Sequence, residues 1–202
     1  MITNYIIKDY LDRVFYEKRF PKNSFKNEYH PRNTDELTLI GFKVMYDQIK
    51  NNKPLINYIR KNNTKVIHLH RSNILKLIVS KELKKITNIA HSYTNDEKIN
   101  DQQVYINIST LLKKMRSFDY QTHKFDKFFE SHNKIKFSFE DFLTKNTTRE
   151  TLLEFLELPK SNVNQVISMK KTNQQSLESS IKNYNEVYKT LINTEFAYCL
   201  ND

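Results

Sequence analysis

The sequence predicts a helix-rich α/β chain, built as a short parallel sheet flanked by helices. Three observations carry that expectation. Short apolar runs alternate with amphipathic stretches in the order strand, helix, strand, helix, which pairs strands in parallel through a crossover. The length of 202 residues suits a single domain, read as residues 1–202. The third is the glycine count: Gly41 is the only one. Dinucleotide fingerprints and P-loops need several glycines in close succession, so that backbone amides reach phosphate without a Cβ in the way. Ordinary P-loop kinases, GTPases and dinucleotide-binding dehydrogenases are therefore excluded.

The elements follow in chain order. Residues 4–20 read as a helix, with Ile6, Tyr10, Val14 and Phe15 on one face. Pro21 to Asp35 is a polar stretch broken by Pro21, Pro31 and several Asn. Leu39-Ile40-Gly41-Phe42-Lys43-Val44 reads as a short buried strand, followed by a helical stretch to Lys50. A second helix covers Pro54–Lys61, with Pro54 favourable in its first turn. Val66-Ile67-His68-Leu69-His70 is the clearest strand, and Ser72 or Asn73 caps a helix running to about Asn88. The apolar positions of that helix, Leu75, Ile78, Val79, Ile86 and Ala90, recur at helical spacing.

Asp101 to Glu130 predicts one or two long amphipathic helices, and Lys134-Ile135-Lys136-Phe137-Ser138-Phe139 alternates as a third strand. Thr147-Thr148-Arg149-Glu150 is a capping box for a helix ending before Pro159. Residues 160–176 are polar and read as loop. A last helix from about Ser176 to Ile192 precedes a helical tail to Leu200. The run Phe118, Tyr120, Phe125, Phe128 and Phe129 has the spacing of a core face, although such rings also stack on bases.

Formal net charge is +10, from 33 Lys and Arg against 23 Asp and Glu. Such a surplus favours anionic partners, although it also serves simply to solvate an Asn- and Lys-rich surface. The one cysteine, Cys199, rules out an intramolecular disulfide and fits a reducing, cytoplasmic setting. The first twenty residues carry Lys8, Asp9 and Asp12 inside their apolar run, which is not the pattern of a signal peptide. No apolar stretch approaches the ~18 residues of a membrane span.

Chemistry concentrates where the second strand meets its helix. Arg71 stands at the carboxyl end of a strand, the edge where open parallel sheets collect ligands. The helix that follows offers free amides and a positive dipole end, and the guanidinium adds a planar fork matched to phosphate oxygens. Asn73, Lys76 and Ser80 share one helical face, with Ser80 about 10 Å along the axis at 1.5 Å per residue.

Other groups carry less. His68 and His70 point to one side of the strand as a metal pair does, but no third ligand is evident, so no metal is expected. Glu140 and Asp141, adjacent at a strand end, diverge and make a poor acid/base pair. Cys199 lacks a basic neighbour that would activate it.

The string Ile67-His68-Leu69-His70-Arg71-Ser72-Asn73-Ile74-Leu75-Lys76-Leu77-Ile78-Val79-Ser80 resembles the 3′-phosphate-binding segment of PAPS-dependent sulfotransferases. In that family a strand runs into an Arg, often followed by Asn, with a Ser on the next helix. Ile40-Gly41-Phe42-Lys43-Val44-Met45-Tyr46-Asp47-Gln48 is similar to a strand of the bacterial and glycan-type members. Phe139-Glu140-Asp141-Phe142-Leu143 resembles a "YEDL" segment with Phe for Tyr. Lys170-Lys171-Thr172-Asn173 and Ile181-Lys182-Asn183-Tyr184-Asn185-Glu186-Val187 look like the late basic loop and "NYEE" helix. The four segments come in the family's order over residues 40 to 200.

The resemblance implies a P-loop-hydrolase-like sulfotransferase fold lacking its first strand and its 5′-phosphosulfate loop, with PAPS or its product PAP as cofactor. It implies that Arg71, Asn73, Ser80, Lys170 and Lys171 hold the nucleotide. Sulfuryl transfer would go to a hydroxyl or amine of a glycan, lipid or small molecule, and the missing loop would come from a separate chain or a longer parent protein. The alternatives are a catalytically inactive module that binds a nucleotide or polyanion, and a basic nucleic-acid-binding protein.

Overall fold

The computed structural model describes residues 19–23, 28–31, 39–50, 52–87, 102–160 and 175–201. It contains a parallel pair of strands, β3 (Val66–His70) and β4 (Lys134–Ser138), in register from Val66 opposite Lys134 to His70 opposite Ser138. Val66 and Ile67 are β-branched and favour extended backbone. Asn63, at φ 45°, turns the chain into the strand, a left-handed conformation that Asn tolerates well.

Earlier in the chain, β1 (Arg19–Asn23) and β2 (Glu28–Pro31) form an antiparallel pair. This corrects two expectations, because residues 19–20 are strand rather than helix end, and the Pro21–Asp35 stretch is partly paired. The rest of the expected helix over 4–20 lies outside the described residues. α1 (Tyr46–Lys50) and α2 (Lys53–Lys61) follow, with the Asn52 side chain accepting from the Leu55 amide at the start of α2.

The segment expected as a strand at 39–44 is not one. It is extended, with Ile40, Phe42 and Val44 half-buried between exposed neighbours, but among the described residues no ladder pairs it. Phe42 and Val44 pack instead with Ile49, Leu55, Ile59, Phe125 and Phe129, which draws the segment onto the helices. The parallel pair is thus made by the second and third expected strands. Gly41 has open space where a Cβ would sit and no positive φ, so nothing in the backbone demands glycine there.

α3 (Ile74–Thr87) buries Ile74, Leu75, Ile78, Val79 and Leu83. Ile86, expected on that face, is 56% exposed, because the stripe rotates away from the core near the helix end. α4 (Ile108–Phe128) is one helix, capped by Asn107 at the Ser109 amide. It joins two apolar clusters. Leu111 and Met115 pack with α3 and the C-terminal elements, while Phe125 packs with α1 and α2. The aromatic run is therefore only partly core: Phe125 and Phe129 are buried, and Tyr120 is 65% exposed.

β4 ends one residue earlier than expected. Ser138 Oγ accepts from the Asp141 amide at 2.9 Å and opens α5 (Phe139–Thr144). Glu140 and Asp141 are thus in a helical first turn, not on a strand end. α6 (Asn146–Phe155) starts with no side-chain cap, so the expected capping box does not form. Arg149 reaches back instead to the carbonyls of Phe142 and Leu143 at the end of α5, at 3.0 and 3.1 Å.

The expected last helix is broken into α7 (Leu177–Ser180) and α8 (Tyr184–Leu191). Between them Ile181 makes a parallel bridge with Val104. The Asn183 side chain extends that bridge, accepting from the Ile106 amide and donating to its carbonyl, both at 2.9 Å. A 3₁₀ turn over Ala197–Leu200 buries Cys199 against α3.

Candidate anion site at the carboxyl end of the parallel pair

Both strands of the pair run directly into helices, so the carboxyl edge of the sheet carries two helix starts side by side. Arg71 and Ser72 link β3 to α3. Asn73 caps α3, its Oδ1 accepting from the Lys76 amide at 3.0 Å. Its Nδ2 donates to the carbonyls of Cys199 and Asn201, at 2.9 and 3.2 Å. Both amide hydrogens are thereby spent on the C-terminal turn, so Asn73 builds the frame of the edge.

The Arg71 guanidinium lies over the Phe139 ring, its central carbon 3.7 Å from the ring centroid. Such stacking leaves the edge nitrogens available for a planar anion. In this structure a carboxylate takes that place. Glu140 Oε2 accepts from the Ser72 amide at 3.0 Å, and Oε1 lies 3.4 Å from Arg71 Nη1. Burial pushes the Glu140 carboxyl up, but the Ser72 amide and the Arg71 charge outweigh it and hold it below the ordinary carboxylate range.

Ser80 is exposed on α3, two turns beyond the capping Asn73. Lys170 and Lys171 lie outside the described residues. Of the five residues expected to hold a nucleotide, the structure therefore puts Arg71 and Asn73 at the strand edge and Ser80 farther along the helix that Asn73 caps.

Beneath this edge lies a polar cluster that sequence reasoning missed. His68 is buried, with Nε2 2.6 Å from the Tyr46 hydroxyl and Nδ1 3.3 Å from Asp126 Oδ1. That arrangement fits a neutral imidazole donating through Nδ1 and accepting the tyrosine proton at Nε2. Asp126 also accepts from Lys134 Nζ at 2.6 Å and Lys136 Nζ at 3.1 Å. Lys134 above all holds the Asp126 carboxyl far below its usual value. Burial lowers His68, against the pull of Asp126, and raises Tyr46.

His70 faces the same side, 6.1 Å from His68 between ring centroids, and burial with the Lys136 charge lowers it too. Among the described residues no group of three or more His, Cys, Asp or Glu is placed to hold a metal ion. The only signal for the cluster was the spacing of His68 and His70. Its acid lay hidden in an aromatic helix 58 residues away.

No family model, no curated protein and no solved structure matches this chain. Among the described residues, no helix is long and apolar enough to cross a membrane.

Proposed function

We propose that this chain is a sulfotransferase-like protein whose strand edge at Arg71 binds the 3′-phosphate of PAPS or PAP, within a P-loop-hydrolase-like sulfotransferase core. The single observation that carries the reading is the Arg71 guanidinium and Ser72 amide gripping a carboxylate at the start of α3. Those are the donors a phosphate oxygen needs. Arg71 anchors the phosphate, Ser80, Lys170 and Lys171 extend the grip, and Asn73 fixes the helix start.

PAPS so held would present its sulfuryl group to a hydroxyl or amine of a glycan, lipid or small molecule, with PAP as the leaving group. Sulfuryl transfer needs donors around the developing charge, as phosphoryl transfer does. With Gly41 the only glycine, the loop that grips the 5′-phosphosulfate comes from a separate chain or a longer parent protein. The same glycine count favours a second reading, a catalytically inactive module that binds the nucleotide and transfers nothing.

The test is calorimetric titration with PAP at two salt concentrations, on the wild type and Arg71→Ala. Loss of a charged hydrogen-bonding partner predicts binding roughly 10- to 100-fold weaker in the variant. Equal affinity in both proteins removes the site. Affinity that collapses with salt and ignores the nucleotide supports nucleic acid as the partner instead. Supplying a loop-bearing segment and assaying turnover separates the enzyme from the inactive module.

A further inference from the structure

Glu140 occupies the very donors that the proposed function assigns to phosphate, and its contacts say how. It sits in the first turn of α5, whose Ser138 cap sets it at the edge of the sheet. The neighbouring residue, Phe139, carries the ring on which Arg71 lies. One short helix therefore delivers both the ring over which the guanidinium lies and the carboxylate that claims it. The two oxygens of Glu140 divide between the Ser72 amide and Arg71 Nη1, as two oxygens of a phosphate would.

We propose that Glu140 is a built-in competitor that closes the anion site until a phosphomonoester displaces it. The proposal rests on the reading of the Arg71 edge as a phosphate site. Displacement needs no refolding. The Glu140 side chain keeps 29% of its surface and that of Arg71 37%, so a rotation about Glu140 side-chain bonds carries the carboxylate into water. Phe139 and the Ser138 cap stay in place, and Arg71 keeps its platform. A dianionic phosphate outcompetes the carboxylate through its greater charge, whereas a monoanionic carboxylate ligand gains nothing by the exchange. The occupied site is thus selective for phosphomonoesters, and its affinity for them is held down by the competitor.

The test compares PAP and inorganic phosphate binding, by calorimetry at low salt, in wild type, Glu140→Gln, Glu140→Ala and Arg71→Ala. Glu140→Gln keeps the side-chain size and an acceptor for the Ser72 amide, removes the charge and turns an amide donor toward Arg71, so it guards against a fold effect in the alanine variant. Circular dichroism melts check both. Relief of competition by a partly exposed unit charge predicts PAP binding roughly tenfold tighter in both Glu140 variants, a gain abolished when Arg71→Ala is combined with either. Unchanged or weaker binding in folded Glu140→Gln and Glu140→Ala overturns the gate. If wild-type binding still needs Arg71 in that case, the phosphate site stands without it. If none of the proteins binds PAP or phosphate, the site reading fails and the gate with it.

Discussion

Changing Asp126 to Asn strikes the charge that holds three elements together. The carboxylate receives Lys134 and Lys136 from β4 and faces His68 on β3, while its own helix stacks Phe125 on Tyr46, 4.8 Å between centroids. Asn keeps one acceptor but turns an amide donor toward a cation. Breaking a fully buried pair costs about 3–5 kcal/mol, and an exposed one about 0–1 kcal/mol. Asp126 is 28% exposed and Lys134 17%, between those limits, so the expected loss is about 2 kcal/mol. Urea unfolding at pH 7 should show a lower midpoint with an unchanged slope.

The sign of the pH dependence follows from the Asp126 carboxyl being held far below its usual value. A depressed carboxyl stabilises above its unfolded value of about 3.9 and loses that contribution only as pH falls through the folded value. The difference between wild type and variant should therefore persist from pH 7 to about pH 5. A loss below about 0.5 kcal/mol at pH 7, the level of a surface change, would refute the bridging role.

Two further expectations concern stability. His68 is lowered by burial, so the unfolded chain takes up its proton first. Its neutral contacts count in full above about pH 6.5 and weaken as pH falls toward the folded value. Thermal melts from pH 7 to 5 should fall less steeply in His68→Gln. His70, also lowered, and the facing Asp126, Lys136 and Tyr46 remain, so part of the slope stays, and an identical slope would dismiss the idea. Asn183→Ala leaves the buried Ile106 amide and carbonyl unpaired, at about 2 kcal/mol. Hydrogen exchange at the Ile106 amide should speed up markedly, and unchanged protection would count against the bridge.

What the sequence disclosed depended on whether the determinant was local. Val66–His70 was legible in full, since β-branched residues open it and an Asn cap follows it. Arg71 was legible for the same reason, as the residue between a strand end and a helix start. The segment 39–44 alternates as a strand does, but a strand needs a partner, and pairing is a tertiary fact. Ser138 reads as one more residue of an alternating run until its hydroxyl is seen to cap α5. The helix expected over 176–192 breaks at Ile181 because Val104, 77 residues earlier, donates to the Ser180 carbonyl and accepts from the Lys182 amide on either side of it. Glu140 meets Ser72 across 68 residues, and no spacing rule encodes that meeting.

Asn73 gives the molecule an order in time. Its Oδ1 finds the Lys76 amide three residues on, so the start of α3 forms as soon as that stretch exists. Its Nδ2 waits for carbonyls 126 and 128 positions later, contacts whose loop-closure entropy has to be overcome before they stabilise anything. During synthesis the edge that carries Arg71 emerges before that backing exists. Only when the turn around Cys199 arrives is the start of α3 pinned from behind, so the finished geometry of that edge waits on a segment more than a hundred residues farther on.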